Sequence, residues 1–188
     1  MGIGFIDSLK KRHHYGRYAI VASLIKPHGK NLLDVGCGSP SSCMKEGSFL
    51  RYLGYGQGID IEHRDIEFPF KIGDIKNLPF KNQSFDVVTA LEVMEHIDDY
   101  STALREVHRV LKQNGIFVMT TPHNTFFFRI FWNIWEKTFG RKWKDTHLTF
   151  FKKEEWLDIL RKSGIFKIEK AIDYWGVNVI VKMSKMPQ

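Results

Sequence analysis

The segment Asn31-Leu32-Leu33-Asp34-Val35-Gly36-Cys37-Gly38 constrains the fold more than any other part of the chain. A short apolar run ending beside an acidic side chain reads as a buried strand, and the two glycines read as its turn. Glycine lets main chain take left-handed backbone and approach a ligand closely. The same Gly-x-Gly turn also serves plain helix packing. A dinucleotide-binding fingerprint would place a third glycine at position 41, where Ser41 stands. That weighs against a nicotinamide dinucleotide.

The rest of the chain repeats the alternation of short strand-like runs with helical ones. Asp7 to Lys26 reads as an opening helix, basic from Lys10 to Arg17, and Pro27-His28-Gly29 stops it. His13 and His14 fall in that basic stretch and read as surface residues. A short helix is expected over Lys45 to Leu53. Strands are expected at Gln57 to Ile61, Pro69 to Ile72, Phe85 to Leu91 and Ile116 to Thr121. Ser101 to Lys112 places Leu104, Val107, Val110 and Leu111 on one helical face. Phe126 to Phe139 and Glu154 to Arg161 are further helices. Phe166 to Tyr174 and Val177 to Lys182 close the chain as a hairpin turning at Gly176. This order predicts an α/β fold around a mostly parallel sheet of about seven strands. Ligands of such sheets bind outside the carboxyl ends of the strands.

Composition narrows the class. The chain has 188 residues, 43% of them hydrophobic, enough for a sizeable core without disulfide staples. Cys37 and Cys43 give neither a disulfide framework nor a paired zinc spacing, so no metal is expected and a cytoplasmic setting fits. No run is long enough to span a bilayer, and residues 1–9 do not read as a secretory signal. Ile6 stands where a myristoylation motif needs Ser or Thr. Asn82-Gln83-Ser84, a formal glycosylation sequon, is taken as chance. With 28 basic and 21 acidic residues the net charge is +7, which favours anionic partners in general.

Acidic groups end several strands. Asp60, in Gly58-Ile59-Asp60-Ile61-Glu62, is placed to accept both hydroxyls of a ribose, with Glu62 as the alternative acceptor. Asp74 follows Gly73 and is placed to accept from an exocyclic amine. Ser84-Phe85-Asp86-Val87-Val88 runs into Leu91-Glu92-Val93-Met94-Glu95-His96, which gathers two carboxylates and an imidazole at one strand end.

In order, LDVGCG, GIDI, GDIKNLPF, SFDVV, EVMEH and LREVHRVLKQNGIFVMTTP resemble a class I S-adenosylmethionine-dependent methyltransferase. The likeness is to the small-molecule type that includes quinone-ring methylating enzymes, and it covers roughly residues 30–182. It implies a Rossmann-like sheet of order 3-2-1-4-5-7-6 with strand seven antiparallel and helices on both faces. It implies S-adenosylmethionine as cofactor and S-adenosylhomocysteine as product. Gly36, Cys37 and Gly38 would lie against the methionine moiety, with Asp34 supporting the loop. Asp60 would hold the ribose, Ile61 would face the adenine, Asp74 and the Ile75 amide would meet the adenine amine, and Leu91 and Glu92 would approach the methionine end. Pro40 departs from the family's third glycine. The stretch from Asp60 to Gly73 is too short for the usual helix between strands two and three.

The expected organisation is one methyltransferase domain over 1–188: a helical cap (1–29), a cofactor core (30–122), an aromatic substrate-side segment (123–156) and a C-terminal helix with strands (157–188). Candidate proton acceptors are His147, His96 and Glu95. Residues 126–156 hold 11 of the chain's 26 aromatics, interleaved with basic residues. They read as a lid for a small-molecule or lipid-like acceptor, or as a peripheral membrane contact through 126–143. Dimerisation through this segment is also open. No Asn/Asp-Pro-Pro-Tyr sequence follows strand four and no RNA-binding module is visible, so nucleic acid is disfavoured, RNA least strongly. The reading in competition is a cofactor-binding, non-catalytic methyltransferase-like module.

Overall fold

In the computed structural model, which describes residues 2–38, 48–63, 66–122 and 151–187, seven strands form one sheet. They are β1 (Leu32–Val35), β2 (Gln57–Asp60), β3 (Phe70–Ile72), β4 (Phe85–Leu91), β5 (Leu111–Pro122), β6 (Phe166–Tyr174) and β7 (Asn178–Lys185). The order is β3-β2-β1-β4-β5-β7-β6, with β7 antiparallel to both neighbours, as the resemblance implies. β1 pairs parallel with β2 on one side and β4 on the other, and all four of its residues are buried. A central parallel strand covered on both faces has no polar side, which explains its near-continuous apolar run.

Helices α1 (Gly2–Ile25) and α2 (Phe49–Leu53) belong to one face, and α3 (Tyr100–Val110) and α4 (Lys153–Lys162) to the other. On the first, Val21, Ile25, Phe49 and Leu50 join Leu32, Val87 and Val118 in one buried cluster. On the second, Leu104, Val107, Trp156 and Leu160 join Val88, Phe117 and Val181. Asp99 caps α3 by accepting from the Thr102 amide (3.0 Å). Ser48 caps α2 in the same way, and Gly54 ends it in left-handed backbone.

Three expectations are adjusted. α1 starts earlier than predicted, at Gly2, and passes into a single 3-10 turn, Lys26–His28, with Pro27 inside it. β5 starts at Leu111 rather than Ile116, because the chain pairs with β4 as soon as α3 ends (Leu111 with Phe85) and then makes a bulge. Asn114, at φ 63°, and Gly115 supply the irregular backbone. α2 begins at Phe49, and residues 45–47 lie outside the described ones. The described residues between β2 and β3 contain no helix, in keeping with the short spacing. The aromatic segment from 126 to 150, including His147 and the proposed membrane contact at 126–143, also lies outside them. No helix among the described residues is long and apolar enough to cross a membrane.

The α3 face is set by close packing rather than by helix propensity, so its cost is local. Leu104→Ala should destabilise by about 2–5 kcal/mol, as buried Leu-to-Ala changes do. Ile61→Ala, at a side chain 71% exposed, should change stability by less than about 0.5 kcal/mol. Chemical denaturation of both variants checks the contrast.

Candidate active site

At the carboxyl end of β1 the chain turns sharply at Gly36 (φ 63°) and Gly38 (φ 57°). A Cβ at Gly36 would lie 2.4 Å from Val93 Cγ2, so the turn is glycine for space as well as for backbone. The Gly36 and Cys37 amides both donate to the Ile59 carbonyl (2.8 and 3.2 Å), and the Cys37 side chain is buried against Gly58. These two donors are therefore committed to β2. What the turn offers a ligand is its surface and its closeness, not those two amides.

Asp60 ends β2 and draws two loops together. Its Oδ2 accepts from the Gly38 amide (3.0 Å) and its Oδ1 from the Glu62 amide (3.1 Å). Asp60 itself is largely buried, 8% exposed. Beside it, Ile61 and Ile72 at the ends of β2 and β3 are 71% and 59% exposed, an apolar surface next to a charged one. Asp74 follows on the same edge. Its Oδ1 accepts from the Lys76 amide (2.8 Å) and Lys76 Nζ lies 4.0 Å from Oδ2. Ile75 is buried in the core.

Asp34 takes no part in this open edge. It is buried inside the sheet and accepts a short bond from the Thr89 hydroxyl of β4 (2.6 Å). Burial pushes its pKa up to about 7, against the pull of Thr89 and with a smaller upward push from Asp60.

The carboxyl end of β4 carries a second polar cluster. Glu92 adopts φ 59°, left-handed backbone that is uncommon for a residue with a side chain. Its carboxylate accepts from Thr120 Oγ1 (2.8 Å), from Asn178 Nδ2 (3.0 Å to each oxygen) and from Arg17 Nη1 (2.9 Å). Glu95, in the 3-10 turn Met94–His96, is buried and accepts from Thr121 Oγ1 (3.1 Å). Burial raises its pKa well above the ordinary glutamate value, and the Glu92 charge pushes the same way. His96 is half-buried in the same turn.

The sequence-predicted residues thus fall along one edge of the sheet: Gly36, Cys37, Gly38, Asp60, Ile61, Asp74 and Ile75 on the β1–β3 side, and Leu91, Glu92, Glu95 and His96 past β4. His147 lies outside the described residues. Arg17, His13, Thr120 and Asn178 were not anticipated. His13 and Arg17 are not surface groups: Arg17 is buried, and His13 packs its ring against Tyr174 (5.0 Å between centroids) and Trp175 (5.3 Å). Their i, i+4 spacing beside the apolar Tyr18, Val21 and Ile25 was the available signal.

Residues 33–119 match the methyltransferase domain family. That span is similar to a methyltransferase domain. The matched span runs from β1 into β5 and so contains both polar clusters.

Among curated relatives, the chain is 23% identical over 188 aligned residues to a demethylmenaquinone methyltransferase of Alkalihalophilus pseudofirmus, covering 85% of this chain and 80% of that one. It is 29% identical over 167 residues to the 2-methyl-6-phytyl-1,4-hydroquinone methyltransferase of Synechocystis, covering 80% and 51%. It is 31% identical over 119 residues to a phthiotriol/phenolphthiotriol dimycocerosates methyltransferase of Mycobacterium ulcerans, covering 58% and 44%. It therefore spans about half the length of the last two. An S-adenosylmethionine-dependent methyltransferase of Thermotoga maritima superposes with a TM-score of 0.67 at 22% identity, covering 97% and 96%. A geranyl diphosphate methyltransferase solved with geranyl diphosphate and sinefungin gives 0.66 at 12%, covering 92% and 78%. At these identities the structural likeness is one of fold.

The methyltransferase domain carries its own pH signature. Folding raises the Asp34 pKa from 3.8 to about 7, so the folded state binds a proton the unfolded state has lost. Stability should then fall as pH rises between those values. Glu95 acts in the same sense. The salt-bridged Glu106 has a lowered pKa and acts the other way, at lower pH. Asp34→Asn should flatten the decline between about pH 4 and pH 7, read from denaturation midpoints across that range.

Proposed function

We propose that this chain transfers a methyl group from S-adenosylmethionine to a small, lipid-like acceptor. The observation that carries the reading is the edge at β2 and β3. There the Asp60 carboxylate, which accepts from the Gly38 amide of the glycine turn and from the Glu62 amide, stands beside two exposed isoleucines. A nucleoside asks for that combination: acceptors for a sugar diol and an apolar surface for a flat base. In this reading Asp60 holds the ribose, Ile61 lies against the adenine, Asp74 and the Ile75 amide meet its amine, and the turn Gly36-Cys37-Gly38 backs the methionine portion. Leu91 and Glu92 face that portion from β4.

When bound, the cofactor supplies a methyl group on a positively charged sulfur. The chain's own residues align the acceptor with it, and such positioning contributes about 7–11 kcal/mol to barrier lowering in favourable cases. A hydroxyl or phenol acceptor also needs its proton taken. Glu95, His96 and His147 are the candidate bases. Glu95 is buried with a raised pKa, so its carboxylate fraction, and with it any base role, grows with rising pH. The lipid-like acceptor is inferred from relatives that methylate quinone rings and phenolic lipids, by their names, and from the aromatic composition of residues 126–156.

Thermal melts with S-adenosylhomocysteine, S-adenosylmethionine and NAD test the cofactor. A ligand at 100 times its dissociation constant adds about 2.7 kcal/mol. A rise of several degrees with the first two and none with NAD is expected. No shift with either sulfur nucleoside would overturn the reading. A shift without transfer to any lipid-extract component would favour the non-catalytic module. Asp60→Asn keeps one acceptor for the loop amides and removes the charge. It should weaken S-adenosylhomocysteine binding at least roughly tenfold, a change worth about 1.4 kcal/mol.

A further inference from the structure

Trp175 runs against the chemistry of the turn it occupies. It sits at the tip of the β6–β7 hairpin at φ 59°, followed by Gly176 at φ 67°. Two successive left-handed residues make a turn that Asn-Gly suits, and a bulky side chain in that backbone is an outlier. Burial gives no compensation, since Trp175 is 51% exposed. Its ring stacks on Tyr174 (5.6 Å between centroids, 27° between planes) and meets His13 edge-on (5.3 Å). Those contacts fix where the indole stands without covering it. The turn itself is held by other groups: Asp173 Oδ1 accepts from the Gly176 amide (2.8 Å).

The tip stands clear of the sheet. Tyr174 faces Asn178, and Asn178 faces Pro122, the last residue of β5, so residues 175–177 lie beyond the end of the ladder. Helix α1 meets the tip at His13 and descends from there into the core with Tyr18, Val21 and Ile25. Its residues 2–12 therefore run the other way, past the tip, for about 16 Å. In sequence that stretch carries Ile3, Phe5, Ile6 and Leu9, followed directly by Lys10-Lys11-Arg12. Lys11 and Arg12 are exposed. Burial raises the Tyr174 pKa and the charges of Arg17 and Arg12 pull against it, which places Arg12 beside the hairpin.

An apolar helical stretch, a collar of cations and an exposed indole thus come together at one end of the molecule. Each matches a layer of a bilayer surface: acyl boundary, anionic headgroups, and the interface that tryptophan favours. A nucleic acid would use the cations and the indole but has no use for the apolar residues ahead of them. We propose that Trp175 and the first half of α1 form a docking surface for an anionic lipid bilayer. The strand ends with their acidic groups lie at this same end of the sheet, so docking brings the candidate active site to the membrane. Vesicle binding needs no methyl donor, so this surface stands or falls apart from the methyl-transfer reading.

Flotation of the full chain with vesicles tests it. Binding to an equal mixture of phosphatidylcholine and phosphatidylglycerol should be at least roughly tenfold tighter than to phosphatidylcholine alone. Lys11→Gln and Arg12→Gln should each weaken binding to the mixed vesicles about fivefold, the effect of one basic residue near an anionic surface. Trp175→Asn suits the turn, so its melting temperature should be no lower than that of the wild type. It should nevertheless weaken vesicle binding at least roughly fivefold, through the apolar area it removes. Brominated acyl chains should quench the wild-type tryptophan fluorescence and lose most of that effect in Trp175→Asn, although Trp132, Trp135, Trp143 and Trp156 remain. No binding by the wild type overturns the proposal. Binding and quenching that survive in Trp175→Asn place the contact elsewhere in the chain and overturn it too. A loss confined to the two glutamine variants marks a general polyanion patch, with the same consequence.

Discussion

The carboxylate of Glu92 ties together more of this molecule than its position in a loop suggests. It receives hydrogen bonds from α1, β5 and β7, while its own backbone leaves β4. The residue holds left-handed backbone, a strain of about 1–3 kcal/mol for a residue other than glycine. Glycine at this position would relieve the strain and lose every one of those contacts. The strain persists because the surrounding donors over-determine the side chain's place. Arg17 is buried on the same account: a guanidinium removed from water needs its counter-charge, and breaking such a pair leaves an uncompensated ion. Tyr174 adds a second tether, giving its hydroxyl to the His13 carbonyl (3.1 Å), and Gly16 leaves no side chain to keep the two apart. The middle of α1, around His13 to Arg17, is thereby drawn to the edge of the sheet where the strand ends carry their acidic groups.

The aspartates of β1 and β2 show how one residue type is given two roles by placement. Asp34 sits in mid-sheet with a single hydroxyl donor, so burial wins and the carboxyl tends to keep its proton. Asp60 sits at a strand end, where two backbone amides turn toward it from separate loops. The first stiffens the junction of β1 and β4. The second shapes the turn by holding the Gly38 and Glu62 amides. A one-residue slip in either strand would turn its aspartate to the opposite face, since alternate residues of a strand point to opposite faces.

Most of the architecture is legible in the chain because its signals are local. The Asn31–Val35 run, the helical spacing of Leu104, Val107 and Val110, and the turn at Gly176 each follow from neighbours in sequence, and the structure places elements there. The strand ends with Asp60 and Asp74 follow likewise. What was not legible depends on contacts across long separations. Nothing near His13 and Arg17 tells that Asn178 and Glu92 will meet them, so a run of basic residues reads as solvated surface. The early start of β5 also depends on a partner, Phe85, 26 positions away from Leu111. Likewise the pairing of the Gly36 and Cys37 amides with Ile59 fixes which donors of the turn are spent, and only the register of β1 against β2 reveals it.

The two polar clusters divide the sheet edge by chemistry. On the β2–β3 side the surface is apolar with isolated acceptors, which suits a base and a sugar. On the β4 side it carries the ion pair of Arg17 with Glu92, beside the buried Glu95. Between them lies the glycine turn, where the backbone is thinnest and side chains are excluded by Val93. A ligand long enough to touch both clusters must cross that turn.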